Sequence, residues 1–191
     1  MRRKAGTICM VLGAVLVLAA LSLFLWNQWE DRRAGDAAQE VLSQLEDLTG
    51  DGETDPYNTE MTEVEIDGHY YIGYVSIPSQ GIDLPVMSQW SYPNLRIAPC
   101  RYSGSTKTAD LVIAAHNYAR HFGPIKNLSP GDAVYFTDMD GIVTSYQVAE
   151  VDTLSPTAVE EMTDSGYALT LFTCTYGGQS RVTVRCIMSV E

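Results

Sequence analysis

A run of twenty residues without a charged side chain, residues 7–26, constrains this chain more than any other feature. As a helix that rises about 1.5 Å per residue, such a run spans about 30 Å, the thickness of the hydrocarbon core of a bilayer. Trp26 and Trp29 stand at its end, where aromatic rings favour the membrane interface. The run therefore predicts a transmembrane anchor over residues 7–26.

The charges around this run predict its orientation. Residues 2–4 read Arg-Arg-Lys, whereas residues 30–33 read Glu-Asp-Arg-Arg. Because basic residues favour the cytoplasmic side, we expect a single-pass type II protein of the cell membrane, with residues 1–6 cytoplasmic and the folded part extracellular. A cleaved signal peptide is the alternative, but its apolar core is about 7–15 residues long and ends at a small-residue cleavage site. Trp-Asn-Gln-Trp at residues 26–29 is a poor site of that kind.

The charge balance excludes one class of partner. Acidic residues outnumber basic ones 24 to 12 across the 191 residues, and three of the basic ones precede the anchor. Such a surface repels phosphate backbones, since nucleic-acid binding needs a basic footprint. An apolar fraction of 46% is too high for a chain disordered throughout. We expect one folded domain after the anchor, with no nucleic-acid partner.

Residues 27–62 are predicted to form a juxtamembrane helix and an acidic linker. Over residues 34–48 the apolar side chains of Val41, Leu42, Leu45 and Leu48 fall on one helical stripe. Residues 49–62 are rich in Gly, Asp and Thr, which is typical of a linker. A calcium loop beginning at Asp47 is not favoured, because its third and twelfth positions lack the required ligands.

From residue 63 to residue 191, short runs rich in Val, Ile, Tyr, Thr and Phe alternate with Gly, Pro and Asp. They predict strands at residues 70–77, 82–87, 111–115, 133–137, 142–151, 168–173 and 182–190. Turns are expected at residues 138–141 and 176–178, and short helices at residues 122–128 and 156–163, the second capped by Ser155. With no repeat and no alternation of strands with helices, the pattern indicates a mainly β domain, an antiparallel barrel or sandwich.

Two reactive residue types stand where predicted strands end. His116 follows the strand at residues 111–115, and Cys174 follows the strand at residues 168–173. A thiol attacks as the thiolate, and a nearby imidazolium favours that form and protonates a leaving amine. Arg181 begins the next strand and would stabilise a developing oxyanion, whereas Arg185 lies about 13 Å further along the same face. From spacing alone, a buried core thiol and a structural histidine remain an equal alternative.

The other histidines and cysteines carry weaker signals. His116 and His121 lack the spacing of a zinc site, so His121 is expected to be a solvated loop residue and His69 a turn residue. Cys9 falls in the anchor. Three cysteines remain in the extracellular part, which is an odd number, so at least one thiol is unpaired or pairs between chains. Pairing of Cys100 with Cys186 stays open.

The segment Thr-Leu-Phe-Thr-Cys at residues 170–174 resembles the T-L-x-T-C signature of sortases, the membrane-anchored cysteine transpeptidases of Gram-positive cell surfaces. Further segments resemble this family in the same order: residues 71–78, 82–86, 114–117 and 128–132. Together they cover roughly residues 70–186. The resemblance implies a closed, antiparallel or mixed eight-stranded β-barrel over residues 63–191.

The resemblance also implies roles. Cys174 would be the nucleophile, His116 the general acid and base, and Arg181 the stabiliser of substrate, with Thr173 and Asn117 as substrate-binding residues. The substrates would be surface proteins with a sorting signal like Leu-Pro-x-Thr-Gly, cleaved between Thr and Gly. The acyl group would pass through a thioester to an amine of a cell-wall precursor or a pilin lysine, with no cofactor or metal.

Several features depart from the family or leave alternatives. Ala115 stands where the family often has glycine, and no apolar segment after Arg181 is long enough to span a membrane, which argues against the pilin-polymerising class. Some members bind calcium, but at Asp138 and Asp140 a plain turn is favoured. A purely hydrolytic cysteine protease and a non-catalytic, membrane-tethered binding domain remain as alternatives.

Overall fold

The computed structural model describes residues 2–52 and 60–189. The chain forms two compact units, Met1–Arg33 and Ala34–Glu191, and helix α1 (Arg2–Leu48) supplies residues to both. Within the described residues, α1 is the one helix long and apolar enough to cross a bilayer. The rings of Trp26 and Trp29 lie 5.6 Å apart. This apolar helix suggests membrane anchoring, while its topology and the domain boundaries stay predictions.

The second unit contains one sheet of nine strands and little helix. The strands are β1 (Val64–Ile66), β2 (His69–Ile77), β3 (Ile82–Met87), β4 (Cys100–Ser103), β5 (Leu111–Ala115), β6 (Ala133–Asp138), β7 (Val143–Leu154), β8 (Leu169–Cys174) and β9 (Arg181–Met188). The short helices are α2 (Tyr92–Leu95) and α3 (Val159–Thr163), with 3₁₀ segments at Pro78–Gln80 and Gly123–Asn127.

Eight of these strands close into a barrel. The sheet order is β1-β2-β3-β4-β5-β8-β9-β7-β6, and β2 also pairs with β6. The pairs β3–β4 and β5–β8 are parallel, and the other pairs are antiparallel. The predicted closed, mixed eight-stranded barrel is confirmed. The pairing of β2 with β6 closes the sheet, so that the backbone N–H and C=O groups of both strands find hydrogen-bond partners.

Strands β5 and β8 are covered on both faces. Inside the barrel their side chains Ile113 and Leu171 are fully buried. On the outer face Ala114 and Phe172 pack with Met162 of α3 in a second apolar cluster. Double coverage explains why both strands read as almost continuous apolar runs. It also holds the ends of the two strands rigidly, since burying one such large side chain contributes about 1.5–3 kcal/mol.

The second half of α1 packs against the barrel. Ala38 and Leu45 are fully buried, whereas Leu48 at the end of the predicted apolar stripe is 54% exposed. The Arg120 guanidinium, in the loop after β5, donates to the Asp36 carboxylate. A Cβ added to Gly35 would lie 2.3 Å from Nε of Arg120, so the missing side chain makes room for this contact. Residues 34–48 are therefore attached to the loop that follows His116.

The described ends of the predicted linker are held at the turn between β6 and β7. The Gly50 and Gly52 amides donate to the carbonyls of Met139 and Asp140, each at 3.0 Å. The Thr62 hydroxyl donates to the Asp140 carboxylate at 2.6 Å. Residues 53–59 of the linker, like the predicted strand end at Val190, lie outside the described residues.

All seven predicted strands are present, with ends displaced by up to three residues. The missed elements β1, β4 and α2 are three or four residues long. The predicted helix at residues 156–163 is wrong at its start, because α3 begins at Val159 with Ala158 as its N-cap. The Ser155 hydroxyl does not cap it and instead lies 2.9 Å from the Thr157 hydroxyl. The predicted helix at residues 122–128 is a 3₁₀ segment.

Candidate active site

The Cys174 thiol and the Arg181 guanidinium belong to facing residues of two neighbouring strands. Strand β8 ends at Cys174, β9 begins at Arg181, and these two residues are direct cross-strand partners. The turn between them is closed by the Thr175 amide, which donates to the Ser180 carbonyl at 2.9 Å. Residues directly opposite in an antiparallel pair project to the same face of a sheet. The hairpin therefore brings a nucleophile and a permanent cation side by side.

His116 reaches the same place through a different strand. Strands β5 and β8 run parallel, with Ala115 beside Thr173, so His116 follows β5 next to Cys174. The Thr173 hydroxyl donates to the Ala115 carbonyl at 2.8 Å and fastens the two strand ends together. Thr173 is buried, which makes this bond a structural link just before both reactive residues.

The imidazole of His116 is packed against an aromatic ring. The ring of Tyr118 lies 4.9 Å from that of His116 and 5.5 Å from that of His121. His121 is fully buried, so the prediction of a solvated loop histidine is wrong. The predicted turn at His69 is displaced, because His69 is already the first residue of β2 and pairs with Ile66.

Cys174 lies at the edge of two clefts. The first, which we call the aromatic cleft, has a volume of about 200 Å³ and is lined by Cys174, His116 and Arg181 together with Phe172 and Trp90. A row of rings runs along this cleft, with centroid spacings of 5.2, 5.7 and 5.2 Å, in the order Tyr92, Trp90, Tyr102, Phe172. The sequence reasoning missed this row, although the Trp-Ser-Tyr segment at residues 90–92 was an available signal.

The second cleft, which we call the lysine cleft, has a volume of about 400 Å³. It is lined by Cys174, Thr173, Asn117, Lys126 and Tyr176, among others. Both residues predicted to bind substrate, Thr173 and Asn117, thus lie on this side of the thiol, whereas the predicted acid and base lies on the other. Lys126 was not singled out in the sequence, because a single lysine in a short helical segment carries no signal of its own.

The two arginines of β9 differ in their contacts. Arg181 donates through Nη1 to the carbonyls of Gly178 and Ser180 at 3.2 and 3.1 Å, and makes no ion pair with a described residue. Arg185 pairs with Glu150 at 3.5 Å and with Asp152 at 3.9 Å. Arg181 also lines the cleft that contains the thiol, and Arg185 does not. Arg181 is therefore the arginine available to a bound substrate.

The three cysteines after the anchor are free thiols in different surroundings. Cys100 and Cys186 are fully buried and do not form the disulfide that the sequence left open. Burial raises the pKa of each of these thiols to about 12, because the thiolate loses its hydration. Cys174 is partly exposed at the clefts. Only Cys174 of the three is accessible to a substrate.

The carboxylates of the acidic turn at residues 138–141 pair with a lysine. The Lys107 ammonium lies 3.7 Å from the Asp138 carboxylate and 3.3 Å from the Asp140 carboxylate. The Asp138 carboxylate also accepts the amides of Asp140 and Ile142 at 3.1 and 2.9 Å. Across residues 2–52 and 60–189, no three His, Cys, Asp or Glu side chains are grouped so as to hold a metal ion.

Comparison with known proteins matches this arrangement to one family. The family profile described as the sortase domain matches residues 75–189. The chain belongs to the sortase family. It is 29% identical over 125 residues to Sortase A of Bacillus anthracis, a match that covers 62% of this chain and 59% of that protein. It is 30% identical over 114 residues to Sortase A of Listeria monocytogenes, covering 54% of this chain and 49% of that protein. The match thus spans about half to three fifths of these relatives.

The barrel is also similar to solved sortase structures. A Sortase D5 transpeptidase of Clostridium perfringens superimposes with a TM-score of 0.62, covering 81% of this chain and 99% of that one. At 16% identity this likeness concerns the fold. The family membership and the sortase-type barrel predicted from the sequence are both confirmed.

Proposed function

We propose that this sortase-family protein is a cysteine transpeptidase of the cell surface, with Cys174 as nucleophile, His116 as general acid and base, and Arg181 as stabiliser of the substrate. One observation carries the proposal: the three side chains, each at or directly after the end of a different strand, line a single cleft. A thiol, an imidazole and a guanidinium are the groups that acyl transfer through a thioester requires.

In the first step the Cys174 thiolate attacks the carbonyl carbon of the scissile amide. Arg181, a permanent cation, stabilises the oxygen that becomes anionic. The carbon–sulfur bond forms, the carbon–nitrogen bond breaks, and the His116 imidazolium gives its proton to the leaving amine. The product is a thioester on Cys174 and a released peptide amine.

In the second step an incoming amine attacks the thioester. The new carbon–nitrogen bond forms, the carbon–sulfur bond breaks, and neutral His116 accepts the proton that the amine loses. The Cys174 thiolate is restored. Because one amide is exchanged for another, the reaction needs no nucleotide or metal as an energy source. Water must stay away from the thioester long enough for the amine to react.

The aromatic cleft supports a choice of acyl substrate. Its walls are apolar, with Leu95, Met162 and Phe172 beside the reactive residues, and they include no acidic side chain. Leucine and proline side chains bury well against such walls. A sorting signal like Leu-Pro-x-Thr-Gly on a surface protein is therefore the proposed donor, cleaved between Thr and Gly. The proposed acceptors are a cell-wall precursor amine or a pilin lysine.

The apolar part of α1 supports a location in the cell membrane. An apolar helix of this length, with none of its most apolar stretch buried against the protein, is suited to a bilayer. We propose a single-pass type II arrangement in which the barrel faces the outside, where the surface proteins and cell-wall amines are found.

The test uses the full chain in detergent micelles and a pool of Leu-Pro-x-Thr-Gly peptides with x varied. We expect the intact mass of the protein to rise by the acyl part of a peptide, and the adduct to exchange onto an added amine such as hydroxylamine. Cys174→Ala should form no adduct, and Cys186→Ala, the buried control, should form it normally. Adducts in Cys174→Ala, or none in the unaltered chain, would overturn the proposal. Release by water alone would favour a hydrolytic protease.

A further inference from the structure

Cys174 borders the lysine cleft as well as the aromatic cleft, and the two differ in character. The aromatic cleft contains His116 and Arg181 and is the proposed site of the peptide that is cleaved. The lysine cleft lies on the Asn117 and Thr175 side of the sulfur and contains neither of these two groups. A transpeptidase needs space for two substrates at one sulfur, one on each side of the thioester carbonyl. The lysine cleft is the space left for the second substrate.

The charge inside the lysine cleft is unusual for this chain. The protein has 24 acidic side chains and 12 basic ones, yet no acidic residue lines this cleft. Its one charged side chain is Lys126, in the last turn of the 3₁₀ segment Gly123–Asn127. Only one other lysine follows the anchor, Lys107, and its ammonium is held by two carboxylates. Lys126 is exposed and makes no ion pair with any residue in the described ranges.

An ammonium in this position has two effects on an incoming amine. An amine attacks a thioester only in its neutral form, and a nearby cation disfavours the protonated form of the amine. The same ammonium attracts an anionic group elsewhere on the acceptor. With no carboxylate on the protein side, that anion has to come from the acceptor itself. A cleft of about 400 Å³ is large enough for an amino-acid side chain with its carboxylate.

We propose that the lysine cleft binds the amine acceptor and that Lys126 selects an acceptor that carries a carboxylate on the same residue as its amine. This inference rests on the proposed transpeptidase function and names the chemical class of its second substrate. The carboxylate pairs with Lys126 while the amine points to the thioester on Cys174. An acceptor amine without a neighbouring anion lacks this ion pair with Lys126.

The experiment compares two acceptors that differ in one charge. Nα-acetyl-lysine and Nα-acetyl-lysine amide have the same single reactive amine, and only the first has a carboxylate. The full chain in detergent micelles receives both at equal concentration, with a Leu-Pro-x-Thr-Gly peptide that forms the thioester. The two amide products are counted by mass spectrometry. We expect a preference of about threefold to fivefold for the carboxylate form, the range of an exposed ion pair, and we expect it in KM rather than kcat.

Three variants and one change of solvent isolate the role of Lys126. Lys126→Gln should abolish the preference, and Lys126→Arg should keep it, since the cation is retained. Arg96→Gln removes an exposed cation outside both clefts and should leave the preference and the rate unchanged. Raising the salt from about 0.1 M to 1 M shortens the Debye length from about 10 Å to 3 Å and should remove most of the preference.

The outcomes separate this inference from the function beneath it. A thioester that reacts equally with both acceptors, or a preference that survives Lys126→Gln, would overturn the role of Lys126 and leave the transpeptidase function standing. If Arg96→Gln abolished the preference as fully as Lys126→Gln, the preference would depend on the net charge of the protein rather than on Lys126, and the inference would also be overturned. Failure of the unaltered chain to form the thioester would overturn the proposed function and this inference with it.

Discussion

The hairpin of β8 and β9 contains a cysteine and an arginine at each of its two ends, and the ends behave differently. At the turn end, Cys174 faces Arg181 across the strands. At the far end, away from the turn, Arg185 faces Thr170 and Cys186 faces Leu169. The residue types are the same and the strands are the same, so any difference in chemistry comes from the surroundings.

At the far end the arginine has carboxylate partners and the thiol is buried. Arg185 pairs with Glu150 and Asp152, and its guanidinium lies 5.5 Å from the ring of Tyr167. Cys186 is fully buried, with its pKa raised to about 12 by loss of hydration. At the turn end, Arg181 donates hydrogen bonds to two backbone carbonyls and Cys174 borders two clefts. Reactivity is retained where the fold leaves polar groups without carboxylate partners and within reach of solvent.

The largest expected difference between the two ends is in thiol accessibility. Iodoacetamide should label Cys174 in the native protein and leave Cys186 and Cys100 unmodified until the barrel unfolds. Labelling of the buried thiols should be at least about a thousandfold slower, because it requires an opening that costs several kcal/mol. Peptide mapping after timed labelling measures all three rates in one sample. Equal rates for Cys174 and Cys186 would remove the distinction and favour an inert, non-catalytic thiol.

The second-largest difference is expected between substitutions of Arg181 and of Arg185. Arg181→Lys should lower kcat/KM for transpeptidation about a hundredfold, because lysine lacks the planar fork that donates to an oxyanion. Arg185→Lys should change it by less than about threefold, since Arg185 does not line either cleft. Steady-state kinetics on the two variants side by side gives the ranking. The reverse ranking would move the catalytic role to Arg185.

The buried thiols should make the protein sensitive to alkali. Their pKa is about 12 in the folded state against 9.0 for a free thiol, so the unfolded chain loses protons first as the pH rises through 9. The free energy of unfolding should be unaffected by these thiols below pH 9 and fall above it, by up to about 1.4 kcal/mol per pH unit for each thiol.

Urea unfolding followed by tryptophan fluorescence between pH 8 and 10.5 measures this slope. A Cys100→Ala, Cys186→Ala double variant should have a shallower slope, whereas Cys174→Ala should keep the slope of the unaltered chain. Tyr71 and Tyr146, whose pKa burial also raises to about 12, add to the fall only above pH 10. A free energy of unfolding that stays constant from pH 8 to 10 would contradict the burial of both thiols.

The smallest effect is expected from loosening the far end itself. Glu150→Gln removes one negative charge from beside Arg185 and weakens the acceptor of the hydrogen bond that the Tyr167 hydroxyl donates at 3.5 Å. The pair is partly exposed, so the cost in unfolding free energy should stay below about 1 kcal/mol, and kcat/KM should change by less than twofold. A large loss of activity would mean that the two ends are coupled through β9.

Sequence patterns predicted the strands well because the local composition of a strand reflects whether one or both of its faces are buried. The run at residues 111–115 coincides with β5 because all five side chains are buried. β4, with the sequence Cys-Arg-Tyr-Ser, was missed because its extended form depends on pairing with β3 and β5 rather than on its own residues. Ser155 was a reasonable cap by type, but its hydroxyl interacts with Thr157 in the preceding turn.

The sequence proposed three residues for the candidate site, and the structure brings them to one cleft, but the surroundings of that cleft were not predicted. The family signature named Cys174, and the order of strand ends pointed to His116 and Arg181. The sequence reasoning did not single out the row of rings in the aromatic cleft or Lys126. Trp90, Tyr102, Lys126 and Phe172 belong to segments far apart in the chain, and only packing brings them near one sulfur. His121 was misjudged for the same reason, because a loop position does not reveal whether the loop folds inward.

The amino-acid order alone determined that one apolar helix is long enough for a bilayer, that the rest forms a β domain, and that a thiol and an imidazole end two strands. Those features depend on length, polarity and alternation, which are properties of contiguous residues. The tertiary structure decided that the two strand ends are neighbours although 58 positions separate Ala115 from Thr173. It also decided which arginine of β9 has no carboxylate partner and which thiols are buried. Strand register and burial are set by hydrogen bonds and packing between distant segments, and no short stretch of sequence contains them.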